Sequence, residues 1–142
     1  MKKYGLIGLP LVHSFSQKYF TAKFEKESID AQYDLYELND ISEFADLVTD
    51  TDICGLNVTI PYKEKVIPFL NDIDLTAKQI GAVNVIKFKR SEDQLHLTGY
   101  NSDAIGFENS IKPHLKRLIF LNSTKKLSKF MKLKELSEQI LT

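Results

Sequence analysis

The chain has 142 residues, and its 19 basic and 19 acidic side chains give a formal net charge of zero. That length is enough for one domain with a proper core, and the neutral balance gives no electrostatic reason to expect nucleic acid or an anionic membrane as a partner. The single cysteine, Cys54, excludes an intrachain disulfide and a multi-cysteine metal site. The apolar run near the N-terminus is too short for a signal peptide or a membrane span, so we expect a cytoplasmic protein.

The first half of the chain alternates predicted strands and helices. Phe20 and Phe24 lie one helical turn apart and predict the apolar face of the first helix. Asp40 and Glu43 have the spacing of a capping box at the start of the second helix. The predicted elements are strands over Tyr4–Gly8, Gln32–Leu38 and Gly55–Val58, and helices over Gln17–Glu27 and from Asp40 to about Val48.

The stretch Gly55–Lys65 carries the main functional prediction of the sequence. A buried strand is followed by Pro61, a residue typical of the first position of a helix, so a helix is predicted to begin there and to be interrupted or restarted at Pro68. Thr59 and Lys63 would then lie at the carboxyl end of a strand, where open α/β sheets bind ligands. In the first turn of a helix the dipole disfavours a charged lysine, which suits proton transfer. The alternative is an exposed lysine on a solvated helix face.

The second half of the chain predicts a hairpin between helices. Asn84 is a polar residue in an otherwise apolar strand, and Asp103 stands at a helix start that continues with apolar residues. After Pro113 the composition becomes lysine-rich and lacks glycine. The predicted elements are helices over Leu75–Ile80, from Asp103 to Ile111 and over Ser123–Thr142, strands over Ala82–Phe88, Leu95–Tyr100 and Arg117–Leu121, and a charged turn over Arg90–Gln94.

This alternation predicts a mixed, mostly parallel sheet covered on both faces, which is an α/β fold with three layers. Several polar residues fall at strand ends or helix starts and together offer neutral donors, one ammonium and one carboxylate. Such a set suits a small polyhydroxylated anion. The residues are Ser14, Ser16, Thr59, Lys63, Asn84, Asn101 and Asp103.

Their chemistry divides into binding and proton transfer. The hydroxyls of Ser14 and Ser16 could hold a carboxylate, and Thr59 and Asn84 could bond sugar-like hydroxyls. A pair of Lys63 with an orienting Asp103 would supply acid/base catalysis. Each has an alternative role, since Ser14 with Gln17 fits a capping box and Asp103 fits a helix N-cap.

Four ordered motifs then resemble the substrate domain of the shikimate dehydrogenase family. They are Gly5-Leu6-Ile7-Gly8-x-Pro10 with His13-Ser14-x-Ser16, then Gly55-x-Asn57-Val58-Thr59-x-Pro61-x-Lys63, then Gly81-Ala82-Val83-Asn84, then Tyr100-Asn101-Ser102-Asp103-x-x-Gly106. The resemblance covers roughly residues 1–112 and leaves 113–142 as an atypical C-terminal segment.

The resemblance implies a three-layer α/β/α substrate domain, in the family joined to a Rossmann domain that binds NADP, and the interconversion of 3-dehydroshikimate and shikimate. It implies that Ser14 and Ser16 take the substrate carboxylate. Thr59, Asn84 and Asp103 would contact its hydroxyls, with Lys63 and Asp103 as the catalytic pair. Asn57, which belongs to the second motif, is expected first to shape a turn. No metal is implied.

The C-terminal segment departs from the family pattern. Where the family continues into a strand and a glycine-rich phosphate loop, this chain has no glycine after Gly106. Close approach of a pyrophosphate needs that bare backbone, so we expect no NADP site and no Rossmann domain in this chain.

Three hypotheses follow. The chain is the substrate-binding and proton-transferring part of a shikimate dehydrogenase, cut short or completed by another chain. Alternatively it is a cofactor-less module that binds shikimate- or quinate-like acids. A third reading is a structural remnant whose lysine-rich tail packs against a neighbour, in a homodimer or on a partner chain.

Overall fold

The computed structural model describes residues 1–91 and 94–121, which form parts of two compact units, Met1–Asn101 and Ser102–Thr142. Each unit is described by itself. The first unit contains strands β1 (Lys2–Gly8), β2 (Ala31–Glu37), β3 (Ile53–Val58), β4 (Asp72–Ile73), β5 (Val85–Ser91) and β6 (Gln94–Tyr100), and helices α1 (Ser16–Lys26), α2 (Phe44–Leu47) and α3 (Leu75–Ile80). Short 3-10 helices span Ile41–Glu43 and Ile67–Phe69, and the described part of the second unit is helix α4 (Asp103–Leu121).

The strands form one mixed sheet in the order β2-β1-β3-β5-β6-β4. β1 pairs in parallel with β2 and β3, whereas β5 is antiparallel to both β3 and β6, and β4 is parallel to β6. In the part of the chain that is described, β5 is thus the one strand that runs against the other five. The prediction of a mixed, mostly parallel sheet is confirmed. The carboxyl ends of β1 and β3 consequently meet at the same edge, where the sequence places most of its polar residues.

Both faces of the sheet are covered, because successive strand residues point to opposite sides. Leu6 packs on one side with Tyr33 and with Phe20 and Phe24 of α1, which confirms the predicted apolar face of that helix. The neighbouring Ile7, fully buried, belongs to a larger cluster on the other side. That cluster includes Phe44 of α2, Ala77 of α3, and Val58, Tyr62, Val83 and Ile86.

Two helix starts carry the caps that orphan backbone N–H groups require. Asp40 and Glu43 form the predicted capping box, on a 3-10 turn that leads into α2. Asp74 caps α3 by accepting hydrogen bonds from the backbone N–H groups of Thr76 and Ala77. Gly81 ends α3 in the left-handed region, at φ 75°, a conformation that glycine adopts without steric cost.

The helix predicted from Pro61 is wrong, and hydrogen bonds explain why. Residues 59–66 form turns, after which only the 3-10 helix Ile67–Phe69 follows. In an α-helix the carbonyl of Lys63 would accept from the N–H of Ile67. Instead it accepts from the N–H of Val83 at 2.8 Å, and Ile67 bonds to Glu64 at 3.2 Å. Since no helix begins there, the dipole argument for the chemistry of Lys63 does not hold.

The strand predicted over Arg117–Leu121 is also wrong, because α4 is helical through Leu121 with Pro113 inside it. A short apolar run fits a strand and a buried helical segment equally well, and periodicity does not separate them. Strand β5 begins at Val85 rather than Ala82, and the edge strand β4 was not predicted. Both hairpin strands extend into the predicted charged turn; Glu92 and Asp93 at its tip, and the predicted helix Ser123–Thr142, lie outside the described residues.

Candidate functional site

The candidate site begins in the loop that leaves β1. Gly8 lies so close to the end of β3 that a Cβ atom there would be 2.5 Å from Cγ2 of Thr59. The N–H of Leu9 donates to the carbonyl of Ile60 at 3.1 Å, and the N–H of Leu11 donates to the Glu37 carboxylate at 2.6 Å. The loop that carries the two serines is therefore fixed on one side by β3 and on the other by the end of β2.

Ser14 and Ser16 lie half-buried at the start of α1. The N-cap residue is Phe15, and Ser14 instead accepts a hydrogen bond from the backbone N–H of Ser16 at 3.3 Å. The capping box of Ser14 with Gln17 is therefore wrong. The first turn of α1 contains no acidic residue, and the positive end of a helix favours an anion.

Thr59, Lys63 and Asn84 are brought together by three backbone hydrogen bonds. The N–H of Thr59 donates to the carbonyl of Ile7 at 2.9 Å, which joins the end of β3 to the end of β1. The carbonyl of Asn84 accepts from the N–H of Val58 at 2.9 Å, next to the bond between Lys63 and Val83. The strand end, the turn after it and the segment before β5 thus form one connected backbone frame.

Tyr62 anchors the turn that carries Lys63. Its hydroxyl donates to the carbonyl of Leu38 at 2.6 Å, and its side chain is only 2% exposed. Burial raises the pKa of the Tyr62 hydroxyl, with smaller contributions from the carboxylates of Asp40 and Glu43. The adjacent Lys63 is half-buried and so keeps access to solvent or to a ligand.

Asn84 and Asn101 are the two buried polar residues of the described chain. The N–H of Asn84 donates to the carbonyl of Tyr100 at 2.9 Å, and the side-chain amide of Asn101 donates to the carbonyl of Ala82 at 2.9 Å. Asn101 therefore positions the segment before β5. Its place in the sequence motif has a structural explanation, whereas Asn84 stands directly beside the turn of Lys63.

A hydrogen bond between two side chains connects β2 to β3. The hydroxyl of Tyr33 donates to Oδ1 of Asn57 at 2.8 Å. Burial raises the pKa of Tyr33 to about 12, and the Ser16 hydroxyl opposes part of that change. Asn57 lies within β3, paired with Leu6 and Val85, so the prediction that it shapes a turn is wrong.

Asp103 is the first residue of α4 and belongs to the second unit. It follows the last residue of β6 by three positions. Within the first unit, backbone hydrogen bonds join the segments of Thr59, Lys63 and Asn84, and the loop of Ser14 and Ser16 leaves β1 at the strand end to which Thr59 is bonded. The pairing of Asp103 with Lys63 remains a prediction.

A cavity of about 470 Å³ lies on the first unit over β3 and β5 beside α1, and Tyr33 and Asn57 are among the residues that line it. The five predicted site residues of this unit do not line it. Its walls are mainly apolar, which does not suit a polyhydroxylated acid. They include Tyr4, Phe20, Phe24, Val85 and Tyr100.

Comparison with known proteins decides the family. A family model described as the shikimate dehydrogenase substrate binding domain matches residues 6–86, more than half of the chain. The chain belongs to this family. NADP-dependent shikimate dehydrogenases from Staphylococcus epidermidis and Aquifex aeolicus are 36% and 38% identical over 78% and 77% of the chain. The chain spans about 40% of the length of these relatives.

Solved structures agree with the family assignment. The shikimate dehydrogenase from Aquifex aeolicus matches with a TM-score of 0.71 at 36% identity, covering 80% of this chain and 42% of that one. The dehydroquinate dehydratase and shikimate dehydrogenase from S. pombe matches with a TM-score of 0.73 at 33% identity, covering 78% of this chain and 21% of that one. The α/β architecture with a mixed sheet is thus that of the shikimate dehydrogenases.

The described residues do not fit NADP, the cofactor named for these relatives. A pyrophosphate site of this type needs a glycine loop between a strand and a helix, and the described chain after β6 consists of the single helix α4. No hydride-transfer step is therefore assigned to these residues. In the described part of the chain no helix is long and apolar enough to cross a membrane, and no cluster of metal ligands is present.

Sequence reasoning missed three residues that hold the site. Tyr33 bonds to Asn57, Glu37 holds the serine loop, and Tyr62 anchors the turn of Lys63. Each acts through a hydrogen bond to a residue more than fifteen positions away, and such partners leave no local pattern. The one local signal is the pair of tyrosines in β2, Tyr33 and Tyr36, which is typical of a strand and does not indicate a partner.

Proposed function

We propose that this chain supplies the substrate-binding and proton-transferring part of an NADP-dependent shikimate dehydrogenase. Ser14 and Ser16 would bind the carboxylate of shikimate or 3-dehydroshikimate, and Thr59, Asn84 and Asp103 would bond its hydroxyls. Lys63 would exchange a proton with the substrate oxygen at the reacting carbon, and Asp103 would orient the ammonium. The cofactor would be bound by the remainder of an enzyme of this family: NADPH would provide the hydride for reduction of 3-dehydroshikimate, and NADP+ would accept it in the oxidation of shikimate. The proposal includes a cytoplasmic location.

The observation that carries this proposal is the backbone frame that joins Thr59, Lys63 and Asn84. Three hydrogen bonds of 2.8 to 2.9 Å fix the segments of these residues to each other and to the end of β1. The serine loop leaves that same strand end. Preorganised donors of this kind favour one ligand geometry without a large ordering cost on binding. The N-terminus of α1, whose first turn contains no acidic residue, lies next to the serines and adds a favourable field for a carboxylate.

The proposal is tested first by binding. Shikimate is titrated into the isotope-labelled chain and amide shifts are followed by NMR. We expect weak binding, with the largest shifts at residues 14–16, Thr59, Lys63 and Asn84. Quinate, titrated in parallel, distinguishes the two acids. Shifts confined to the apolar cavity over β3 and β5, or no shifts at all, would contradict the proposed site.

Catalysis is tested in an enzyme in which this chain replaces the equivalent part of the Aquifex aeolicus relative. Removing a general acid/base typically costs about 10²- to 10⁴-fold in rate, so Lys63→Met should lower kcat by that order while KM changes little. Lys65→Met is the matched control, because Lys65 is exposed in the same turn. Equal kcat values for the two variants would remove Lys63 from its role. Binding without turnover in the unsubstituted hybrid would favour a cofactor-less module that binds shikimate-like acids.

A further inference from the structure

The cavity over β3 and β5 combines an aromatic wall with a flat floor. Four of its lining rings, Tyr33, Phe20, Phe24 and Tyr4, follow one another at centroid distances of 4.6, 6.0 and 5.8 Å. Gly55 lies in the floor, where a Cβ atom would be 3.4 Å from Cδ1 of Tyr4. Because glycine has no side chain, the space between floor and wall stays open to a planar group. The volume of about 470 Å³ is within the range of small-molecule sites.

Asn57 brings a hydrogen-bond donor to this otherwise apolar space. Its Oδ1 accepts from the Tyr33 hydroxyl at 2.8 Å, which fixes the orientation of the side-chain amide. The amide nitrogen of Asn57 has two N–H donors, and neither bonds to another of the described residues. The side chain is half-buried and lines the cavity. An acceptor on a bound molecule would therefore pair with a donor that the fold has already positioned.

Lys87 brings a positive charge to the same floor. It lines the cavity from β5, is exposed, and forms no ion pair with the described residues. In the antiparallel pair of β3 and β5, Lys87 is opposite Gly55, whereas Asn57 is opposite Val85. The cation and the amide thus occupy diagonal positions, which are roughly 7–8 Å apart in such a pair. That separation is comparable to the length of a benzene ring with a polar group at each end.

We propose that this cavity binds a small aromatic carboxylate that has a hydrogen-bond acceptor at the far end of its ring. The ring lies over Gly55 against the aromatic wall, the carboxylate lies at Lys87, and the acceptor bonds to the amide of Asn57. Aromatic rings favour the offset and edge-to-face contacts that such a wall offers. The proposal is independent of the shikimate site, because Ser14, Ser16, Thr59, Lys63 and Asn84 do not line the cavity.

The test titrates 4-acetylbenzoate, which has both polar groups, into the isotope-labelled chain and follows amide shifts by NMR. We expect weak, saturable binding with the largest shifts at Gly55, Asn57 and Lys87. Lys87→Met should weaken this binding about two- to fivefold, the range of an exposed charge pair. Lys89→Met is the matched control, because Lys89 is exposed on the same strand but does not line the cavity, and it should change affinity less than about 1.5-fold. With methyl 4-acetylbenzoate, which has no charge, the two variants should bind equally.

The acceptor is tested with 4-isopropylbenzoate, which has a similar shape and no carbonyl at that end. Asn57→Asp keeps an acceptor for the Tyr33 hydroxyl and removes the amide donors. The preference for 4-acetylbenzoate over 4-isopropylbenzoate should fall about three- to tenfold in this variant, the range of one hydrogen bond. The amide spectrum of each variant reports whether it is folded. If Asn57→Asp does not fold, the comparison of Lys87→Met with Lys89→Met decides.

Several outcomes would overturn the proposal. They are no saturable binding of 4-acetylbenzoate, shifts centred on the serine loop and Thr59, equal affinities of Lys87→Met and Lys89→Met, and an unchanged preference in folded Asn57→Asp. Each of these leaves the shikimate site standing, because shikimate is titrated separately. Conversely, a chain that binds 4-acetylbenzoate at the cavity but does not bind shikimate would support this proposal and remove the proposed function.

Discussion

Removal of the Tyr62 hydroxyl should destabilise the first unit through a single unpaired carbonyl. In Tyr62→Phe the apolar contacts remain, but the carbonyl of Leu38 loses its donor at 2.6 Å. Tyr62 and Leu38 are 2% and 6% exposed, so water does not easily replace that donor. Leaving a buried acceptor unsatisfied costs about 1–3 kcal/mol. For a unit of this size, each kcal/mol lowers Tm by roughly 4–8 °C.

The assay is urea unfolding followed by far-UV circular dichroism. Taking a cost of about 1.5 kcal/mol and an m-value of about 1.5 kcal/mol/M, the midpoint should fall by about 1 M with m unchanged. Tyr19→Phe is the control, because Tyr19 is 50% exposed and should shift the free energy of unfolding by less than about 0.5 kcal/mol. If the two variants unfold at the same urea concentration, the bond to Leu38 is not what holds the turn of Lys63.

Two other predictions concern the serine loop and the neighbouring strand. Gly8→Ala would place a Cβ atom 2.5 Å from Cγ2 of Thr59 and 3.1 Å from the carbonyl oxygen of Ile60, so it should destabilise the fold by about 1–3 kcal/mol in thermal unfolding. Adding Thr59→Ser removes the methyl group that would clash and should restore part of the lost stability. If stability does not recover, the strain does not arise from that methyl group. The raised pKa of Tyr33, about 12, lies above the ordinary 10.0, so its contribution to stability is complete below pH 10 and is lost as the pH rises through 12. Between pH 10 and 12, the free energy of unfolding of the unsubstituted chain should therefore fall by up to about 2–3 kcal/mol more than that of Tyr33→Phe, as measured by urea titrations. Parallel curves of unfolding free energy against pH for the two proteins would refute the raised pKa of Tyr33.

The parts of the fold that were predicted correctly are those that depend on local sequence patterns. Phe20 and Phe24 mark the buried face of α1, and Asp40 with Glu43 forms the expected capping box. Two predicted strands on either side of a charged turn predicted the hairpin of β5 and β6. In each case the signal and the structure it specifies lie within a few residues of each other.

The errors arose where distant backbone groups override local preference. Pro61 and the residues after it are compatible with a helix, but Val83 takes the carbonyl of Lys63 that a helix would need. Asn57 belongs to a motif that suggests a turn, yet it is a strand residue whose side chain is held by Tyr33. A partner twenty residues or more away along the chain leaves no periodic trace, so these contacts are visible only in the structure.

The same division explains why the proposed site can be tested without unfolding the protein. Thr59, Lys63 and Asn84 are located by hydrogen bonds of their backbones or of adjacent residues, which do not require any particular side chain at these positions. Tyr62, Gly8 and Glu37, by contrast, hold the frame through their own side chains or through the lack of one. Substitutions in the first group leave these backbone bonds in place, whereas those in the second should alter stability first. A loss of function at Lys63 in a stable variant is therefore interpretable as chemistry, whereas a loss at Tyr62 is interpretable only after its unfolding curve is known.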